Sequence, residues 1–226
     1  MLIPIDQVLD KASAIAWRRQ LETAPWQDGK LTAGTQAVQV KANQQLAADN
    51  GLAITLGNTL LRTLGANPLF LSAALPKKIF PPKFNRYQHG GHYGLHVDNA
   101  IMHLPDKQML RTDLSATLFL SEPDDYEGGE LVIESQYGAQ EVKLEAGDLL
   151  LYPSTSLHEV KPVTAGARIC AFFWVESLVR DSQQREMLFD LDQSIQALTL
   201  ERGSSDHEVR RLSGVYHNLV RSWAEA

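Results

Sequence analysis

Between about Leu75 and Glu176 the chain consists of short apolar segments separated by turns, and this pattern limits the possible folds more than any other part of the sequence. Segments such as "DLSATLFLSE", "GELVIES", "DLLLYPS" and "ARICAFFWVES" follow one another at short intervals. Several short strands at such spacing are typical of an all-β sandwich or barrel. Glycines in the intervening turns supply the sharp corners that such a sheet needs. We therefore expect a β core.

The residues before this core have helical periodicity. A first helix is predicted from Asp6 to about Leu21, and a second from Asn43 to Leu64, where Gly65 and a following proline provide a stop signal. The segment "WQDGKLTAG" between them is interpreted as a hairpin or loop. The apolar face of the first helix would consist of Val8, Leu9, Ala12, Ile15 and Ala16.

Helical periodicity returns after Val179. One apolar stripe contains Met187, Leu188, Leu191, Ile195 and Leu198. Ser205 and Glu208 fit a capping box, and the stripe that follows contains Val209, Leu212, Tyr216, Leu219 and Trp223. We hypothesise that these two helices cap the β core or extend an interface between subunits.

The predicted fold class is α+β with a predominantly β core. Residues 1–76 would form an N-terminal helical segment, residues 77–178 the core, and residues 179–226 a C-terminal helical segment. At 226 residues the chain is long enough to bury a single core without disulfides. The single cysteine, Cys170, lies in the apolar run "ICAFFWV", so we interpret it as a small buried hydrophobe.

Charge and targeting signals indicate the compartment and exclude some partners. A net charge of −6 argues against nucleic-acid binding as the main function, because that binding depends on clustered lysine and arginine. The N-terminus has no basic leader, and no apolar run approaches the roughly 20 residues that a membrane helix needs. We expect a cytoplasmic protein that has no membrane partner.

A candidate metal site lies in the stretch "NRYQHGGHYGLHVDNAIM". Residues two apart in a strand project from the same face, so His96 and Asp98 in "HVD" can present an imidazole and a carboxylate to one point. His158 in "LYPSTSLHEV" is the best candidate for a third ligand from another strand. Two histidines and one carboxylate form the facial triad of non-haem Fe(II) oxygenases, which leaves three coordination positions open.

Three open positions suit a bidentate 2-oxo acid and O2. The far carboxylate of such an acid needs an anchor, and Arg168 lies ten residues after His158 at the start of the apolar strand "ARICAFFWV". A planar, permanently charged guanidinium recognises a carboxylate with two hydrogen bonds. Alternation along this strand would place Arg168, Cys170, Phe172 and Trp174 on one face, with core packing expected for the two aromatic residues.

These motifs resemble the iron- and 2-oxoglutarate-dependent dioxygenases, and specifically the bacterial PKHD-type hydroxylases related to prolyl 4-hydroxylases. The resemblance rests on "NRYQHGGHYGLHVDN", "SATLFLSEPDDYEGGEL" and "AGDLLLYPSTSLHEVKPVTAGAR", together with the helical tail. It implies a double-stranded β-helix (jelly roll), Fe(II), 2-oxoglutarate and O2 as cofactor and cosubstrates, and L-ascorbate as accessory reductant. It also implies His96, Asp98 and His158 as iron ligands and Arg168 as the 2-oxoglutarate anchor.

Other polar and aromatic residues near these motifs are weaker candidates. In related enzymes a tyrosine near the position of Tyr87 helps to hold 2-oxoglutarate, whereas Tyr93 is a lesser candidate. The segment "YEGGEL" is interpreted as a tight turn whose glycines adopt positive φ. The remaining histidines lack the triad spacing, and loop hydration or a solvated helix face is expected for His89, His92, His103, His207 and His217.

Three functions remain open from the sequence. The first is hydroxylation of an unactivated C–H bond with conversion of 2-oxoglutarate to succinate and CO2. The second is a non-enzymatic jelly-roll sensor of a metal or small molecule, which would not require Arg168 in register with His158. A zinc hydrolase is disfavoured because no general base is evident. The substrate would be a small molecule or a peptide, with peptidyl proline suggested by the resemblance.

Overall fold

The computed structural model describes residues 1–32, 39–135 and 138–225. The helices are α1 (Lys11–Glu22), α2 (Gly51–Gly65), α3 (Pro68–Ala74), α4 (Ser182–Arg202) and α5 (His207–Trp223). Within the described ranges, no helix combines the length and the apolar character that crossing a bilayer requires. The strands are β1 (Ile3–Ile5), β2 (Gln27–Asp28), β3 (Lys41–Ala42), β4 (Gln44–Gln45), β5 (Pro76–Ile79), β6 (Lys83–Gln88), β7 (His92–His96), β8 (Ile101–His103), β9 (Met109–Arg111), β10 (Leu114–Phe119), β11 (Tyr126–Gly128), β12 (Leu131–Ser135), β13 (Gly138–Val142), β14 (Leu149–Pro153), β15 (His158–Val160) and β16 (Val163–Ser177).

These strands form two large antiparallel sheets and one hairpin. The larger sheet has nine strands in the order β1-β14-β10-β16-β6-β4-β2, with β5 and β11 also paired to the long strand β16. The smaller sheet has five strands in the order β13-β12-β15-β7-β3, and β8 pairs with β9 alone. The structure therefore confirms a mixed helix and strand fold with a predominantly β core.

The larger sheet is the middle layer of three. Alternate side chains of β16, such as Ile169 and Phe173, belong to an apolar cluster with buried residues of α1, α2 and α3. The other face contributes Tyr87, Phe119 and Cys170 to a second cluster, which also contains residues from β12 and β15 of the smaller sheet. Because both faces of the larger sheet are buried, β14 and the second half of β16 are continuous apolar runs in the sequence.

The N-terminal prediction requires a correction. Helix α1 begins at Lys11 rather than Asp6, because the Asp10 carboxylate accepts a hydrogen bond from the Ser13 backbone N–H, 2.8 Å away, and so caps the helix at that point. Residues Ile3–Ile5 instead form β1, which pairs with β14. The predicted apolar face was also wrong within the helix, where the buried residues are Ala14, Trp17 and Leu21.

The second helix was predicted to begin too early. It begins at Gly51, where the Asn50 side chain accepts from the Ala53 backbone N–H, and it ends at Gly65 as expected. Residues Gln44–Gln45 form β4, a short strand between β6 and β2. The proposed hairpin or loop "WQDGKLTAG" lies partly outside the described residues; its Gln27–Asp28 portion pairs with β4 rather than with a local partner.

The C-terminal helices pack on the N-terminal helical layer. Helix α4 contacts α3, where the Ser72 hydroxyl donates to the Asp192 carboxylate at 2.6 Å. Helix α5 packs on α4, and every residue of its predicted stripe is buried or partly buried. The predicted capping box is wrong, because Asp206 rather than Ser205 caps the helix. On the α4 stripe, Met187 is exposed whereas Leu188 and Ile195 are buried.

We expect Leu188→Ala to lower the free energy of unfolding by about 2–5 kcal/mol, because it removes buried methyl groups and leaves a cavity beneath α4. The matched control is Leu200→Ala on the same helix, where the leucine side chain is 90% exposed and the change should stay within about 0.5 kcal/mol. Urea denaturation of both variants measures the difference. If both variants were as stable as the wild type, α4 would not stabilise the core. Truncation after Val179 should then also leave the melting temperature unchanged.

Candidate active site

The three predicted metal ligands lie together between the two large sheets. His96 is the last residue of β7 and His158 the first of β15, and the two are directly opposite each other in the antiparallel register. Their Nε2 atoms lie 3.9 and 3.8 Å from the two carboxylate oxygens of Asp98. One ligand atom from each residue lies within 4.8 Å of the others, a spacing at which one metal ion could contact all three.

Asp98 reaches this point from a loop and not from a strand. His96 and Asp98 were predicted to share one strand, but β7 ends at His96 and β8 begins only at Ile101. Thr112 holds the intervening loop, since its hydroxyl donates to the Asn99 carbonyl at 2.6 Å and its backbone N–H donates to the Ala100 carbonyl at 3.0 Å. The loop that carries Asp98 is therefore positioned by tertiary contacts from Thr112, the residue after β9, and not by strand alternation.

Backbone carbonyls set the tautomer of both histidines. The Nδ1 atom of His96 lies 2.8 Å from the Gly94 carbonyl oxygen, and that of His158 lies 3.0 Å from the Ser156 carbonyl oxygen. A carbonyl oxygen only accepts hydrogen bonds, so each Nδ1 carries the proton and each Nε2 keeps its lone pair for a metal. Burial, and then the neighbouring His158, lower the pKa of His96 to about 4, which keeps its imidazole neutral at neutral pH.

The Asp98 carboxylate is held by the buried Ser115, which in turn pairs with the buried Ser154, and neither serine was predicted from the sequence. Ser115 Oγ donates to Asp98 Oδ2 at 2.6 Å, and Ser115 and Ser154 share a hydrogen bond of 2.7 Å between their hydroxyls. The sequence does contain a signal for this polar face, because Ser115 and Thr117 lie two residues apart in the otherwise apolar strand "LSATLF". Their side chains lie on the face of β10 that lines the site.

Aromatic rings restrict the movement of both imidazoles. The Tyr93 ring stacks on His96, with centroids 3.6 Å apart and an interplanar angle of 16°. The Tyr152 ring meets His158 edge-on at 5.2 Å. Burial raises the pKa of Tyr93 to about 12, so its phenol stays protonated. Tyr93, the lesser candidate from sequence, therefore contacts a candidate ligand directly.

Arg168 is buried in the same cavity as the triad. Only 1% of the residue is exposed, and its guanidinium carbon lies 5.2 Å from the ring centroids of both Tyr87 and Phe119. Its Nη1 donates to the Cys170 sulfur at 3.2 Å, but Nε and Nη2 have no hydrogen-bond partner among the described residues. A buried guanidinium with two unpaired nitrogens is costly unless a ligand satisfies it.

The turn "YEGGEL" shapes the wall beside this arginine. As predicted, Gly128 and Gly129 adopt positive φ angles, of 70° and 69°. Residues other than glycine rarely adopt such angles. A Cβ at Gly129 would lie 3.2 Å from the Cδ of Arg168 and 2.7 Å from a methyl carbon of Val163. The second glycine therefore makes room for the arginine side chain.

Tyr87 lies directly opposite Arg168 in the register of β6 and β16. Its Oη accepts a 3.2 Å hydrogen bond from the Asn85 side-chain amide, which leaves its own proton available for a ligand. Burial raises the pKa of Tyr87, so that the phenol remains a donor. Cys170 is buried, as expected, and burial raises the pKa of its thiol.

The cavity has a volume of about 110 Å³ and is lined by the triad, Tyr87 and Arg168. Phe172 and Trp174, predicted to share a face with Arg168, also line it. Trp174 packs edge-on against Phe80 at the side covered by the β8–β9 hairpin. The other five histidines lie outside the residues lining this cavity.

Two family models match the chain. Residues 82–176 match the 2OG-Fe(II) oxygenase superfamily, and residues 182–225 match the PKHD-type hydroxylase C-terminal domain. A PKHD-type hydroxylase of Pseudoalteromonas atlantica is 62% identical over 225 residues, with 99% of each chain covered. One from Teredinibacter turnerae is 59% identical, with both chains fully covered.

Solved structures share the fold at low identity. A prolyl-4-hydroxylase from Pseudomonas putida has a TM-score of 0.53 and 20% identity, covering 77% of this chain and 92% of that one. HygX from Streptomyces hygroscopicus, with nickel, 2-oxoglutarate and hygromycin B bound, has a TM-score of 0.52 and 15% identity, covering 78% and 82%. From the full-length identity, this chain belongs to the family of PKHD-type hydroxylases, oxidoreductases of the 2OG-Fe(II) dioxygenase class.

Proposed function

We propose that this protein hydroxylates a C–H bond of a small-molecule or peptide substrate, with consumption of O2 and conversion of 2-oxoglutarate to succinate and CO2. The observation that carries the proposal is the convergence of His96, Asp98 and His158 in one cavity with the incompletely paired Arg168. Family membership favours this enzyme over a non-enzymatic sensor, because the full-length relatives are hydroxylases by name.

The donor set fits Fe(II). Two imidazole Nε2 atoms with their lone pairs available and one carboxylate match the facial triad of non-haem iron oxygenases. Ser115 holds the carboxylate, and two backbone carbonyls orient the imidazoles, so the ligands are arranged before a metal arrives. When bound, Fe(II) together with 2-oxoglutarate and O2 would supply the oxidising power for hydroxylation.

Arg168 and Tyr87 fit the far carboxylate of 2-oxoglutarate. The two unpaired guanidinium nitrogens can donate to it, and the Tyr87 hydroxyl can add a third hydrogen bond. Phe119 and Tyr87 cover the faces of the guanidinium and exclude water from this end of the cavity. The charge pair would therefore form where solvent competes little.

Further parts of the proposal rest mainly on resemblance. We assign the two facing sheets to a double-stranded β-helix, with L-ascorbate as accessory reductant, and peptidyl proline as the first substrate to test. We place the enzyme in the cytoplasm without nucleic-acid or membrane partners, which is consistent with a net charge of −6. Self-association through α4 and α5 is supported by the exposed Met187, Leu200 and Val215.

Anaerobic titration with Fe(II) and 2-oxoglutarate tests the proposal. We expect each to bind once per chain, and admission of O2 should then yield succinate and a mass gain of one oxygen atom in a peptide or metabolite supplied with the protein. His158→Ala protein treated identically controls for non-enzymatic oxidation. A wild-type protein that bound neither Fe(II) nor 2-oxoglutarate would exclude the proposed function.

A further inference from the structure

An arginine and an aspartate form a largely buried ion pair on either side of Thr112. Arg111 is the last residue of β9, and Asp113 directly precedes β10. The Nε and Nη2 atoms of Arg111 lie 2.7 and 3.0 Å from the two carboxylate oxygens of Asp113, so the pair has two parallel hydrogen bonds. Only 8% of the Asp113 side chain and 24% of the Arg111 side chain are exposed.

The first connection from this ion pair to the candidate metal site passes through Thr112. This buried residue donates from its hydroxyl and its backbone N–H to the carbonyls of the two residues that follow Asp98. Arg111 and Asp113 are the neighbours of Thr112 in the chain and are joined to each other by their side chains. Their ion pair therefore restrains the backbone from which Thr112 holds the Asp98 loop.

The second connection passes through the serines beside the Asp98 carboxylate. The Asp113 carbonyl oxygen accepts a hydrogen bond from the Ser154 backbone N–H at 3.2 Å. The Ser154 hydroxyl pairs with the hydroxyl of Ser115, which donates to Asp98. One ion pair therefore adjoins both supports of the anionic candidate ligand, the support of its loop and the support of its carboxylate.

The C-terminal part of the chain contacts the same ion pair. The Nη1 atom of Arg111 donates to the Glu225 carboxylate at 3.0 Å, and Nη2 donates to the Ser177 carbonyl at 3.3 Å. The Ser177 backbone N–H donates to the Asp113 carboxylate at 2.8 Å. The Glu225 backbone N–H donates to the Leu178 carbonyl, also at 2.8 Å. The end of β16 and the residues after α5 therefore meet at Arg111.

These contacts differ in expected strength. The Arg111–Asp113 pair is bidentate and shielded from water, so loss of one partner leaves the other as a poorly solvated charge. The Glu225 side chain is 48% exposed, and exposed ion pairs contribute little because water competes with them. The pair of Arg111 and Asp113 is therefore the main connection, and Glu225 adds to it only weakly.

We propose that Arg111 and Asp113 are positioning residues that hold Asp98 in place for metal binding and connect the C-terminal part of the chain to the metal site. This inference rests on the proposed function, because it takes the triad as an iron site. Without the ion pair, the Asp98 loop and the Ser154 hydroxyl would sample more positions. Metal binding would then have to order them, which weakens affinity.

Anaerobic titration of the full-length protein with Fe(II), without 2-oxoglutarate, tests the proposal. Loss of an immediate hydrogen-bond partner of a metal ligand costs about 10- to 100-fold in affinity, and this pair acts one step further away, so Arg111→Met should bind Fe(II) about 10-fold more weakly. Asp113→Asn should show a similar loss, and the double variant should lose little more, because the two residues act as one unit. Arg111→Lys should recover part of the affinity. Glu225→Gln should stay within about 2-fold of wild type.

Co(II) in place of Fe(II) gives a spectroscopic readout of the position of Asp98. The visible absorption of bound Co(II) depends on its coordination geometry. We expect the spectrum at saturating Co(II) to differ from wild type in Arg111→Met and to return towards it in Arg111→Lys. An Fe(II) affinity within about 2-fold of wild type in Arg111→Met, or a Co(II) spectrum identical to that of the wild type, would overturn the proposal.

Arg18→Met is the matched control. Arg18 also bridges two carboxylates, those of Glu22 and Asp125, and its side chain is equally exposed, but it lies on α1 outside the cavity lining. Its loss should lower stability in urea denaturation yet leave Fe(II) affinity within about 2-fold of wild type, because the two sites share no partner. All titrations are made at a temperature at which every variant is folded. An equal loss of affinity in Arg18→Met would assign the effect to general stability and overturn the proposal.

Thr112→Val tests the first connection without removing a charge, so it decides the outcome if the Arg111 variants fail to fold. Valine has nearly the size of threonine but lacks the hydroxyl that holds the Asp98 loop, so Fe(II) affinity should fall by about 3-fold or more. Wild-type affinity in both Thr112→Val and Asp113→Asn would overturn this inference while leaving the proposed function intact. A wild-type protein that did not bind Fe(II) would instead exclude the proposed function and this inference with it.

Discussion

Fe(II) binding should be lost in His158→Ala, with affinity lowered by more than about 100-fold and no substrate-dependent formation of succinate. Removing a hydrogen-bond partner of a metal ligand already costs 10- to 100-fold, and here one of three ligands is removed. His158 is nearly fully buried between β12 and β7, so no solvent-exposed side chain can readily take its place. Anaerobic calorimetric titration with Fe(II) measures the effect.

Two further variants make this result specific. Asp98→Ala removes the only anionic ligand and should be at least as damaging as His158→Ala. His103→Ala, on the exposed part of β8 outside the cavity lining, should bind Fe(II) like the wild type. Circular dichroism should show the same fold in all three proteins. Wild-type iron affinity in His158→Ala would mean that the proposed triad is wrong.

Arg168→Ala should weaken 2-oxoglutarate binding by roughly 30-fold to several thousand-fold. Truncating one member of a buried, hydrogen-bonded charge pair costs about 2–5 kcal/mol, which converts to that range of affinities. Fe(II) affinity measured without the cosubstrate should change far less, since Arg168 is not a ligand. Anaerobic titration with 2-oxoglutarate at saturating Fe(II) measures the loss.

Companion variants separate the lost charge from lost packing. Arg168→Met fills much of the same volume between Tyr87 and Phe119 and should lose as much affinity as the alanine variant. Arg168→Lys should recover only part, because an ammonium keeps the charge but cannot form two parallel hydrogen bonds. Arg19→Ala, an exposed position on α1, is the control. Unchanged binding in Arg168→Ala and Arg168→Met would place the anchor elsewhere.

Local patterns in the chain were sufficient for the β core, for the end of α2 at Gly65 and for the positive φ angles of Gly128 and Gly129. These depend on strand alternation, on helix stop signals and on the conformational freedom of glycine, which act over a few residues. The candidate ligands and Arg168 could be named for the same reason, because their residue types and spacing carry the chemistry.

The first residues of α1 and α2 and the apolar face of α1 could not be predicted correctly from the sequence. The helix predicted from Asp6 begins only after Asp10, because the backbone N–H groups of Gln7 and Leu9 donate to the Asp148 carboxylate and the Gly147 carbonyl, about 140 residues away in the chain. A similar competition made Gln44–Gln45 a strand between β6 and β2 instead of part of a helix. Long-range pairing can override the modest differences in helix propensity, which are below about 1 kcal/mol per residue.

Tertiary structure alone decided the environment of the site. Only the folded chain brings the hydroxyl of Ser115 to Asp98, sets both imidazole tautomers through backbone carbonyls, and leaves two Arg168 nitrogens without a partner among the described residues. It also places Lys41 and Lys83, from different sheets, at one cavity. The residue types that perform the chemistry are visible in the sequence, whereas burial and the distances between remote segments, which control charge and hydrogen bonding, exist only once the two sheets face each other.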